Sequence, residues 1–131
     1  MVRKISYWVS TAVIGAMLAF SAFSYLSGHP DAVDNFAHLG YPQYFRVILG
    51  FAKALGAIAL LSPRLALVKE WAYAGMTFTW IGAFVSHTVA HDGKSYLPVV
   101  LLAILAASYL TRPASRRLAP AAALIHQPSS R

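Results

Sequence analysis

Four long apolar segments, Ile5–Leu26, Tyr44–Leu61, Trp71–Ala90 and Ser95–Thr111, occupy most of this 131-residue chain and limit its fold more than any other feature. A helix rises ~1.5 Å per residue, so a hydrocarbon layer ~30 Å thick calls for about 20 mostly apolar residues. The four segments hold 22, 18, 20 and 17 residues. A soluble domain of this size has too little interior to bury four helices that are apolar on every side. The expected fold class is therefore all-α, a four-transmembrane-helix bundle with antiparallel neighbours.

Composition points the same way. Hydrophobic residues make up 58% and charged residues 11%, against about 25% charged in soluble domains. Arg3 and Lys4 precede the first segment as basic residues precede a signal sequence. That segment exceeds the ~7–15 residues of a signal core, and Ser21–Ser24 leads into more apolar sequence, so a retained helix is expected. The chain has no cysteine, which excludes disulfides, CxxC redox pairs and thiolate metal sites.

The formal charge of +7 is distributed by side. If the segments alternate, Arg3, Lys4, Arg64, Lys69, Arg112, Arg116, Arg117 and Arg131 fall on one face of the bilayer. The other face has Arg46 and Lys94, together with Asp31, Asp34 and Asp92. The positive-inside rule then makes both termini cytoplasmic. The basic groups suit anionic headgroups at ~1 kcal/mol each, and no motif supports nucleic-acid binding.

Residues 1–112 read as one membrane domain, and residues 113–131, rich in Ala, Pro and Ser, as a basic, disordered cytoplasmic tail. The longest loop, residues 27–43, contains a short helix. Pro30 suits a first helical position, Asp31 and Asp34 the first turns, and Gly40 a stop. Val33, Phe36 and Ala37 give it an apolar stripe, so Asp31–Leu39 is expected to lie on the outer face. Gly15 and Ala19, then Ala52, Gly56 and Ala59, then Gly75, Thr79, Gly82 and Ser86 are small-residue rows at which helices could touch.

Lys53 is the anomaly. It lies near the middle of the second segment, where a charge on a lone helix costs ~2.5–3.5 kcal/mol, and no carboxylate has similar depth. Its side chain leans toward the helix N-terminus, hence outward. It either snorkels along lipid or faces a ligand in a polar cavity. Tyr73, Thr77, Trp80, Phe84, His87 and His91 share one face of the third segment by their 4-3-4-3-4 spacing. His87 and His91 could share a metal ion, but HxxxH without a glutamate is a weak motif, commoner in histidines bonded to loop carbonyls. Asp31, Asp34, His38 and Asp92 lie on the same side and could complete such a site. Arg46 could pair with Asp31 or Asp34. Glu70 is explained by the dipole of the helix that it opens.

The chain resembles the DoxX-like family of small four-helix membrane proteins. The residues responsible are His38-Leu39-Gly40-Tyr41-Pro42, Leu49-Gly50-Phe51-Ala52-Lys53, Lys69-Glu70-Trp71-Ala72-Tyr73-Ala74-Gly75 and Ser86-His87. The resemblance implies a compact four-helix bundle in a bacterial inner membrane. Some relatives are linked to quinone-coupled oxidation of sulfur compounds or to redox complexes, and most have no assigned activity. The expected function is an accessory subunit that binds a quinone-like molecule in a cavity lined by Lys53, Trp80 and His87. The alternatives are an enzyme with Lys53 or His87 as general base, and a structural partner of a redox complex or a homo-oligomer.

Overall fold

The computed structural model describes residues 1–119. These form five α-helices, α1 (Val2–Ser27), α2 (Pro30–His38), α3 (Gln43–Leu61), α4 (Ala66–Val89) and α5 (Tyr96–Leu110), with a 3-10 turn at Ala114–Arg116 and no strand among the described residues. Two of them, α1 and α3, are long and apolar enough to cross a membrane. Helix α4 has 24 residues but carries Lys69, Glu70 and His87, and α5 has only 15 residues.

Local chemistry sets the boundaries. Helix α1 ends at Gly28, whose φ of 70° is a left-handed conformation open to glycine, and the next amide, of His29, bonds to Ser24 O at 3.0 Å. Helix α2 starts with Pro30 in its first turn, and His29 Nδ1 accepts the Asp31 N–H at 3.3 Å. It stops before Gly40 (φ 79°), where the Tyr41 N–H returns to Phe36 O at 2.9 Å. The short helix and its glycine stop are thus as expected.

Helix α1 is the hub, packed most extensively on α3 and also on α5, while α3 and α4 touch much less. The buried cluster is Ile14, Leu18, Ala57, Leu60, Tyr73, Met76, Trp80 and Leu105. Close approach of α1 and α3 depends on Gly50. A Cβ there would lie 2.9 Å from the Leu26 side chain and 3.2 Å from Tyr25 Cβ. Among the polar groups of the interior, Thr11 Oγ1 and Tyr73 Oη each lie 2.7 Å from Ser108 Oγ, which ties α1, α4 and α5 together.

Polar contacts gather the helix ends. At one end Arg116 donates to Leu60 O and Ser62 O at 3.2 and 3.3 Å, and the buried Lys69 donates to Ser62 O. Arg112, also buried, lies 2.8 Å from Glu70 Oε1 with its guanidinium over the Tyr73 and Tyr109 rings. Because α4 starts at Ala66, Glu70 falls in its second turn, and Arg112 rather than the helix dipole is its partner, which corrects the expectation. At the other end Arg46 donates to Gln43 Oε1 and Tyr25 O rather than pairing with Asp31 or Asp34, because Tyr25 O is one of the carbonyls left open at the end of α1. The expectation of disorder from residue 113 is corrected where Ala114–Arg116 forms a turn held by Arg116. Its remainder, 120–131, lies outside the described residues.

Candidate functional site

Because α3 and α4 stand apart, an open space runs between them. It has two lobes, of about 330 and 290 Å³, which share Leu49, Lys53, Thr79 and Trp80 in their walls. The larger lobe lies toward α2 and has polar side chains: Tyr25, Asn35, Tyr41, Ser86 and His87. The smaller lobe is walled mostly by apolar groups, among them Leu18, Leu55, Val68 and Met76, with Gly75 on the α4 side. Such volumes suit a small ligand or the head and proximal tail of a larger one.

Lys53 stands at the junction. Its Nζ lies 4.1 Å from the centroid of the Tyr25 ring and makes no hydrogen bond to protein among the described residues. The π-face of an aromatic ring attracts an ammonium through its quadrupole, by ~0.5–2 kcal/mol according to desolvation. A ring face leaves the three N–H donors of the ammonium free for a ligand oxygen or water. Trp80, 4% exposed, supplies an indole wall to both lobes.

The small-residue row of α4 is not the helix contact expected for it. A Cβ on Gly75 or Gly82 would meet nothing within 4 Å. Gly75 and Thr79 line one lobe, and Thr79, Gly82 and Ser86 line the other. Small side chains here widen the space instead of closing it. The Ser86 and Thr79 hydroxyls bond back to Gly82 O and Gly75 O at 2.8 and 2.7 Å, so neither is left unsatisfied.

Helix α2 covers the larger lobe. Phe36 is the buried anchor, its ring 5.1 Å from Tyr25 and 6.2 Å from both Tyr41 and Phe45. Tyr41 Oη reaches across to Ser86 Oγ at 2.6 Å. Asp92, in the loop before α5, lies 2.6 Å from His87 Nδ1 and 3.3 Å from His38 Nε2 through one oxygen. Its other oxygen accepts the Lys94 N–H at 2.9 Å. The His87 hydrogen bond, helped by the Lys94 amide and His38, lowers the Asp92 carboxyl to about 2. A carboxylate can only accept, so His87 donates from Nδ1–H, and in the neutral ring the lone pair is then on Nε2.

Of the candidates named from sequence, Lys53, Trp80 and His87 line one cavity, and His38 joins them through Asp92. Phe84, 39% exposed, faces outward and is absent from both lobes. The rotation from His87 to Phe84 is about 300°, enough to carry the ring off the cavity face at the wide end. His91, at φ 51°, is exposed beyond the end of α4, so it leaves the α4 face and does not meet His87. Asp31 and Asp34 are exposed, with Asp31 3.8 Å from His29 at the start of α2. Among the described residues no group of three or more His, Cys, Asp or Glu could hold a metal ion, so Asp31, Asp34, His38 and Asp92 do not complete a metal site with His87 and His91. Tyr25 and Tyr41 were missed. The outward lean of Lys53 was the available signal for Tyr25, whose segment ends at that depth.

The sequence model of the DoxX-like family matches residues 9–108, which include both lobes' helices and the loop that carries Asp92. No curated protein and no solved structure matches the chain.

Proposed function

Because the chain belongs to the DoxX-like family, we propose that it is a four-span membrane protein that binds a quinone-like amphipathic molecule between α3 and α4. The observation that carries this reading is the junction of the two lobes. Lys53, with free donors, and the Trp80 indole stand between a polar chamber and an apolar one. A planar head with carbonyl oxygens can accept from Lys53 while its ring lies against Trp80, and its tail can leave through the apolar lobe toward lipid.

The spans proposed for α4 and α5 are supported by their outward faces. Phe78 and Val89 on α4 and Leu110 on α5 are 70% or more exposed, as is Phe20 on α1. In water such a surface would drive aggregation; in hydrocarbon it is matched to its solvent. Thr77, Thr79, Ser86 and Thr88 each bond to the carbonyl four residues earlier, which suits a medium without water. The location in a bacterial inner membrane with cytoplasmic termini, and attachment to a redox complex or a second copy, belong to the same proposal.

Titration of the full chain in lipid nanodiscs with menaquinone or ubiquinone tests it, read by tryptophan fluorescence and redox difference spectra. Saturable quenching and a shifted quinone spectrum are expected, with at least a tenfold weaker affinity in Lys53→Met. Linear, unsaturable quenching identical in the variant would reject the ligand.

One observation favours a second reading, an enzyme with His87 as general base. The Asp92 carboxylate fixes the tautomer and orientation of the His87 ring, as a carboxylate does for a catalytic imidazole. Asp92→Asn would then abolish complementation of a deletion strain while quinone affinity stays within about twofold. Intact complementation would discard this reading.

A further inference from the structure

Opposite the α2 end lies a groove that plays no part in the site above. It has a volume of about 470 Å³, and its walls include Arg3, Lys4, Trp8, Arg112, Arg116 and Arg117. Five of these six side chains are cationic. The chain has only four carboxylate side chains. Asp31, Asp34 and Asp92 belong to the α2 end, and Glu70, alone at this one, is taken by Arg112.

The cations come from two distant stretches, and the arginines among them make hydrogen bonds or ion pairs to the fold. Arg116 Nη1 is fixed by Leu60 O and Ser62 O, with its guanidinium 4.6 Å from the Trp8 ring. Arg117 Nε bonds to Arg112 O at 2.7 Å, and Arg3 Nη2 reaches Leu110 O at 3.5 Å. Each guanidinium has five N–H donors, so these bonds leave others free. Arg112 is itself only 4% exposed yet reaches the wall of the groove. Fixed guanidiniums around a concavity match the oxygens of a phosphate by geometry as well as charge.

We propose that this groove binds the phosphate of an anionic lipid headgroup, with acyl chains lying along α1 and α5. The lipid source follows from the rim. Ile5, Val9 and Leu110, next in the chain to the lining residues Lys4, Trp8 and Thr111, are exposed at 56, 59 and 70%. Trp8, half exposed at the groove, has the amphipathic ring that sits at headgroup depth. A free phosphate would use the guanidiniums but leave that apolar rim uncovered.

The full chain, purified in neutral detergent, is titrated with phosphatidylglycerol, phosphatidylcholine or glycerol 3-phosphate, and retained molecules are counted by native mass spectrometry. The expected result is one phosphatidylglycerol retained per chain, no phosphatidylcholine, and at least a tenfold weaker hold on glycerol 3-phosphate. The double variant Arg3→Gln/Lys4→Gln, at two exposed positions, should reduce phosphatidylglycerol retention about tenfold, whereas Arg64→Gln, outside the groove, should leave it unchanged. Arg116→Gln can disturb the fold through Leu60 and Ser62, so the double variant decides. Equal losses in Arg64→Gln and the double variant would mean diffuse surface attraction and overturn the site. Equal affinity for glycerol 3-phosphate would overturn its assignment to lipid.

Discussion

The Lys53 ammonium and the Tyr25 ring face each other at 4.1 Å across the α1–α3 seam. That seam is the most extensively packed among the described helices, and Gly50, one turn before Lys53, admits the Tyr25 and Leu26 side chains there. The ring holds the lysine at the junction of the two lobes without using its hydrogen-bond donors. The contact therefore positions the charge and leaves it available.

Replacing Lys53 by Met should keep the fold and remove quinone binding. The charge costs ~2.5–3.5 kcal/mol in an apolar layer, so its loss is expected to leave the unfolding midpoint unchanged or higher. Thermal unfolding in nanodiscs beside the quinone titration checks both halves. A lower midpoint together with intact binding would make Lys53 a structural residue only.

Gly50 and Gly75 should respond oppositely to a side chain. Gly50→Ala places a Cβ 2.9 Å from Leu26, which must shift, and overpacking of this kind costs ~1–3 kcal/mol. Gly75→Ala meets open space and gains helix propensity of ~0.5–1 kcal/mol. Gly75→Leu should fold equally well but fill the apolar lobe and weaken quinone binding. Unfolding midpoints and the quinone titration of the three variants measure this.

The Asp92 junction gives α2 a defined acid response. The folded carboxyl titrates at about 2, below the ~3.9 of an unfolded aspartate. A depressed value means that its stabilising contribution is complete above about pH 4 and is lost as the pH falls toward 2. Protection factors of the amides of residues 31–38, taken against the intrinsic exchange rate at each pH, should hold to about pH 4 and fall below it. Asp92→Asn should show low protection at every pH. An acid response that survives this substitution would assign it to other groups.

Glu70→Gln should destabilise by ~3 kcal/mol, because it leaves the buried Arg112 without its counter-charge. The double variant Glu70→Gln/Arg112→Met removes both charges and should recover most of that loss. A double-mutant cycle on unfolding free energies reads the coupling directly.

Reporter fusions after residue 131 and within the loop at residue 35 should give opposite topology signals. Eight Lys/Arg against two set this expectation. Matching signals would reject the four-span topology.

The sequence by itself determined the helical class, the approximate positions of the long helices (α4 starts five residues before the expected Trp71) and the short helix α2 with its glycine stop. Each follows from local rules: apolar length, a proline in the first turn, and a left-handed glycine. It also singled out Lys53, since an unpaired charge amid apolar residues is conspicuous without any partner being known. What only the tertiary structure decided is how the helices stand apart. The small-residue rows read alike in sequence, yet Gly15 faces Leu61 and Gly56 faces Leu18 across the α1–α3 seam, whereas the Gly75–Ser86 row faces open space. Helix spacing depends on which side chains fill each seam at once, a property of pairs of segments. The same reason separates Asp92 from Asp31 and Asp34. All three lie on one side, but only Asp92 sits in a loop folded back against His87 and His38, and a carboxylate becomes part of a site by its neighbours.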